Sequence, residues 1–90
     1  MKTLTYFDFQ VHKISGHDPR NIFTFSEKIN EVIVEVQIDH APEAKRFITS
    51  IYINKKREEE GRNSSTLNHA LAHANELYQK HYLLINLSTP

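Results

Sequence analysis

The chain has no cysteine, only two glycines and three prolines, and no net charge, because eleven basic and eleven acidic side chains cancel. Without cysteine there is no disulfide framework, no thiol nucleophile and no cysteine-ligated zinc site. Gly16 and Gly61 lie too far apart to build a phosphate-cradling loop, and no G-x-S-x-G elbow is present. A balanced charge gives no global field that would draw the protein to nucleic acid or anionic lipid. No segment approaches the ~18 consecutive apolar residues of a membrane span. The N-terminal M-K-T-L-T-Y-F-D-F reaches an aspartate before any apolar run of signal length. No membrane contact is expected, and the cytoplasm is the expected compartment.

What is present has the composition of a folded protein. With 39% apolar and 24% charged residues, disorder and low-complexity readings fail. Ninety residues form one domain, 1–90, with little core to spare.

The segment from Ser64 to Tyr82 is the clearest helix. Leu67, Ala70, Leu71, Ala74, Leu77, Tyr78 and His81 recur at three- and four-residue steps and share one arc of the helix surface. Ser64, Ser65 or Thr66 supplies its N-cap, and Gly61 lets the chain turn into it. The segment Leu83–Leu87 either extends this helix or turns back as an edge strand.

Ahead of the helix the pattern is one of strands. Lys2 to Ile14 alternates, with Thr5, Phe7, Phe9 and Val11 on one face. Ser15 to Arg20 carries turn chemistry, and Asn21 to Ser26 reads as a second strand. Glu27–Asn30 connects it to Glu31–Asp39, where Val32, Val34, Val36 and Ile38 alternate with polar neighbours. His40–Ala44 is a turn containing Pro42. Arg46–Asn54 fits either period. Its density of β-branched and aromatic residues favours a strand over a helix. Lys55–Asn63 is a charged connection.

These elements make an α+β domain: an antiparallel meander of about four strands with one C-terminal amphipathic helix packed on one face. The expected core is Phe7, Phe9, Val11, Phe23, Phe25, Val32, Val34, Val36, Ile38, Ile51, Leu67, Leu71 and Leu77. One helix cannot cover both faces of such a sheet. The other face should carry Leu4, Tyr6, Asp8, Gln10, His12, Ile33, Glu35, Gln37, Ile48, Ser50 and Tyr52. Tyrosines set among aliphatic and polar groups suit a partner-binding or self-association surface as well as they suit plain solvent.

Three constellations bear on function. The set Leu4, Tyr6, Ile48 and Tyr52 is the candidate partner-binding surface. Lys55, Lys56, Arg57 and Arg62 form the densest basic group and, with sheet tyrosines as stacking platforms, could serve a nucleic-acid surface. Glu58, Glu59 and Glu60 follow at once and largely cancel that field. His69, His73 and Glu76 share a helix face at spacings of four and three, a weak metal-ligand pattern that lacks the zincin glutamate after the first histidine. No acid–base or nucleophilic constellation comes with a pocket, so an enzyme is not expected and no cofactor is expected. The sequence reads as a small interaction or regulatory protein that binds a protein partner or forms a homodimer, through the half-apolar face or the apolar C-terminal segment. A nucleic-acid-binding module is the alternative.

Overall fold

The computed structural model describes residues 1–87. A 3-10 turn, Tyr6–Asp8, precedes strands β1 (Gln10–Ile14), β2 (Arg20–Ile29), β3 (Val32–Ala41) and β4 (Arg46–Ile53). Two short strands, β5 (Lys56–Arg57) and β6 (Arg62–Ser64), lead to the helix α1 (Leu67–Leu87). The strands pair antiparallel in the order β1-β2-β3-β4, and β5 and β6 both lie along the outer edge of β4. The fold is α+β, a meander with one C-terminal helix on one face.

Register follows from tight turns. β2 and β3 are joined by Asn30 and Glu31, both at positive φ (48° and 67°), with Ile29 opposite Val32. Two such residues make a hairpin turn whose twist matches that of the strands. The turn therefore falls later than the expected Glu27–Asn30 connection, and β2 continues through Ile29. Asn54 and Lys55 repeat the device between β4 and β5 (φ 50° and 70°). The ambiguous Arg46–Asn54 segment is a strand over Arg46–Ile53, paired along its length with β3.

Between β5 and β6 the chain takes five steps, from Arg57 to Arg62, while β4 takes three, from Tyr52 to Thr49. The excess is a bulge over residues 58–61. Glu59 turns from it to the helix, where its carboxylate accepts from Lys80 Nζ (2.8 Å) and meets His81 Nε2 (2.7 Å). Gly61 is needed here for space rather than for freedom to turn: a Cβ would lie 2.7 Å from Ile48 Cγ2 and 3.2 Å from Ser50 Oγ.

The helix starts on Thr66, whose hydroxyl accepts from the His69 N–H as an N-cap should. It continues through Leu83–Leu87 rather than turning back as a strand. Ala70, Ala74, Leu77 and Tyr78 are its buried residues, and the two alanines let the backbone approach β4 closely enough for Thr49 Oγ1 to donate to the Ala70 carbonyl. Facing them are Phe23, Phe25, Ile29, Val34, Val36, Ile38 and Ile51, all buried. Val32 and Leu71 pack at the margin of this core. Tyr78 is held inside by a bond to Glu27 (2.9 Å), and burial first, then that carboxylate, pushes its hydroxyl up to about 12.

The N-terminal strand expected from Lys2 is confined to Gln10–Ile14. Asp8 is the cause: its carboxylate accepts from the Thr5 N–H (2.7 Å) and from Lys2 Nζ (2.8 Å), folding residues 5–8 into the 3-10 turn. The lysine first, then the Thr5 amide, holds the Asp8 carboxyl below its usual range. Alternation is broken in consequence. Phe7, expected in the core, is 93% exposed, and Val11 is exposed as well. Leu4 instead enters the core at 2% exposure, fastened to the helix by Asn75, which accepts from the Leu4 N–H (2.6 Å) and donates to its carbonyl (3.0 Å).

Candidate functional site

The helix and the N-terminal segment cover one face of the sheet, and the opposite face has no covering element among the described residues. Its rows follow from the register. His12, Ile22, Asp39, Ile48 and Asn63 form one row across β1, β2, β3, β4 and β6. Gln10, Thr24, Gln37 and Ser50 form the next, and Ser26, Glu35, Tyr52 and Arg57 the one beyond. Ile22 and Ile48 thus flank Asp39 at the centre, with Tyr52 nearby and Ile33 (43% exposed) at the turn end. The face is mostly polar, with Ile22, Ile48, Tyr52 and Ile33 as its large apolar or aromatic side chains.

At one end the face deepens into a cleft of about 230 Å³ lined by Asp18, Arg20, Asp39, Ala41, Ala44, Arg46 and Ile48. Arg20 bridges Asp39 (2.7 Å) and Asp18 (3.0 Å), and both carboxylates raise its already high pKa. Asp39 Oδ2 takes the guanidinium, while its buried Oδ1 has no hydrogen-bond partner among the described residues.

Of the four residues expected to bind a partner, Ile48 and Tyr52 lie on this face. Leu4 and Tyr6 do not. Leu4 is sealed beneath the helix, and Tyr6 packs edge-on against Phe23, which points to the covered side. The sequence pattern failed there because Asp8 ends the alternation that would have carried both side chains to the open face. It also passed over Ile22, Asp39 and Arg20, since Ile22 and Asp39 meet only through the pairing of β2 with β3 and Arg20 reaches Asp39 across it.

The basic group does not converge. Lys56 and Arg57 are opposite Ile53 and Tyr52, so they point to opposite faces. Arg62 lies on the helix side, bonded to Glu76 (2.7 Å) and near Glu59 (3.7 Å). Only Arg57 of this set shares the open face with a tyrosine. The helix set is similarly divided: Glu76 is taken by Arg62, His69 is exposed, and His73 is partly buried. Among the described residues no group of three or more His, Cys, Asp or Glu side chains is placed to hold a metal ion. No described helix is long and apolar enough to cross a membrane.

Comparison with protein-family models, with curated proteins and with solved structures finds no match.

Proposed function

We propose that this chain is a non-enzymatic binding module that recognises a protein partner through the open face of its sheet. The observation that supports this reading is the row His12, Ile22, Asp39, Ile48, Asn63, which sets two aliphatic side chains on an uncovered face beside the charged cleft. The partner's surface would lay apolar groups on Ile22, Ile48 and Tyr52 and offer a donor, such as a lysine or a backbone N–H, to the exposed carboxylate of Asp18 at the cleft. Two positive guanidinium groups and two carboxylates at the cleft give the site direction without net charge.

The test is affinity capture from native extract with wild-type protein and with Ile22→Lys, Tyr52→Lys, each with and without nuclease. Both variants should melt near the wild-type temperature, because both side chains point away from the core. A protein recovered by the wild type with or without nuclease, and lost with the double variant, supports the reading. Equal recovery by both proteins refutes this surface. Recovery that vanishes with nuclease transfers the function to the nucleic-acid alternative, with Arg57 beside Tyr52 as its starting point.

A further inference from the structure

We infer that two copies of this chain join their sheets edge to edge through β1, about a two-fold axis at His12. The two edges of the sheet are treated differently. The β4 edge is closed by β5 and β6, interrupted by the bulge and pinned to the helix through Glu59. On the other edge β1 pairs, among the described residues, with β2 alone, and all five of its residues are exposed. It contains no proline and no bulge, two of the devices by which edge strands are kept from pairing, and Lys13 is its one charged residue. Of the nine large apolar or aromatic side chains exposed among the described residues, five lie at this edge or on the segment leading to it: Met1, Tyr6, Phe7, Val11 and Ile14.

The hydrogen-bonding phase of the sheet shows which groups this edge offers. The two-residue turn makes Ile29 and Val32 a hydrogen-bonded pair, so odd-numbered residues of β2 bond to β3 and even-numbered ones face β1. Gln10, His12 and Ile14, opposite Thr24, Ile22 and Arg20, therefore spend their backbone groups on β2. The N–H and C=O of Val11 and Lys13 point outward. The same phase requires the Ile33 carbonyl to face β4, and it accepts there from Asn54 N–H at 2.8 Å.

Only one two-fold register uses these groups well. Val11 opposite the second copy's Lys13, twice by symmetry, makes two hydrogen-bonded pairs and sets His12 against its own symmetry mate in the non-hydrogen-bonded position between them. Centring on Lys13 would oppose two lysines. Centring on Val11 would call on the Phe9 N–H, which already donates to the Tyr6 carbonyl. The axis stands perpendicular to the joined sheet, so both open faces turn the same way and form one doubled surface. The pairing leaves those faces free and does not rest on their proposed role.

The absence of cysteine makes the test direct. Under mild oxidation His12→Cys should form a disulfide-linked dimer, because non-hydrogen-bonded pairs bring Cβ atoms close. Val11→Cys and the remote control Lys28→Cys should not. Sedimentation equilibrium of the wild type should show a mass rising with concentration from 10.5 kDa towards twice that value. Val11→Pro, which removes one outward N–H and no bond to β2, should stay at 10.5 kDa with an unchanged far-ultraviolet spectrum. A wild type that remains monomeric overturns the proposal. So does cross-linking no faster at His12→Cys than at Lys28→Cys, or faster at Val11→Cys. A dimer that survives Val11→Pro belongs to another surface and overturns it too. Should Val11→Pro fail to fold, the cysteine series alone decides.

Discussion

The two faces of the sheet are cut from the same strands, yet they follow different rules. On β3, Val34, Val36 and Ile38 face the helix and are buried, while Ile33, Glu35, Gln37 and Asp39 alternate with them towards the uncovered side. Each strand supplies both sets, so β propensity cannot be what separates them. The difference is what lies above: Ala70, Ala74, Leu77 and Tyr78 on one side, and on the other only the neighbouring strands. Burial by the helix converts apolar area into stability, at about 25 cal/mol per Å². Apolar area left on the open face contributes little to folding.

The contrast is broken or sharpened by substitution, and the largest effect should come from the covered face. Leu77→Ala removes a side chain with no exposure and should cost ~2–5 kcal/mol, read as a lowered denaturation midpoint. Leu71→Ala, at the margin of the core, should fall at the low end of that range or under it. If the two cost the same, the helix is rotated from the face described. Gly61→Ala should come next, at ~1–3 kcal/mol, since its new Cβ meets Ile48 and Ser50. A neutral result there would show that the bulge is free to shift. Asn75→Ala strips both partners from the Leu4 backbone and should also cost ~1–3 kcal/mol, detected as faster hydrogen exchange at Leu4 before any change in the strands.

Smaller effects belong to the periphery. Lys80 first, then His81, lowers the Glu59 pKa below its ordinary 4.5, so the folded state binds that proton more weakly than the unfolded chain does. The stabilisation is fully present above pH 4.5 and is lost as pH falls through the lower, folded-state value. Glu59→Gln should cost under about 1 kcal/mol at neutral pH, and its stability should fall less steeply than the wild type's in acid. An identical acid profile would show that the clamp on the bulge contributes nothing. Ile33→Thr, on the open face, should change stability by no more than ~0.5 kcal/mol. A large loss there would mean that the open face is covered after all.

Much of this division was legible in the residues. The alternation of Val32 to Ile38 and the helical stripe follow from periods of two and 3.6, which need no knowledge of tertiary contacts. What failed were places where one side chain overrides a pattern. Asp8 folds back on the Thr5 amide and Lys2, which expels Phe7, admits Leu4 and takes Tyr6 from the open face. Asn30 and Asn54 each open a tight turn, but Glu31 and Lys55 stand where glycine is usual, so neither hairpin announces itself. The cleft around Asp39 was beyond reach, because Asp18, Arg20 and Arg46 are joined only by the pairing of β2, β3 and β4. The basic run from Lys55 looked continuous in one dimension and is divided between two faces in three.

The position of the helix after all six strands has a consequence for how the protein is made. During translation, β1 to β6 leave the ribosome before Leu67–Leu87 does, so the nascent sheet has no dry side. Val34, Val36, Ile38 and Ile51 are wetted on one surface while Ile22 and Ile48 are wetted on the other. Leu4, synthesised ahead of every strand, waits for Asn75 before its backbone is satisfied. The domain therefore completes its folding only after α1 has emerged. Until then it presents the exposed apolar strands that chaperones bind, and a ribosome stalled before α1 would release a sheet prone to aggregate rather than a smaller working domain.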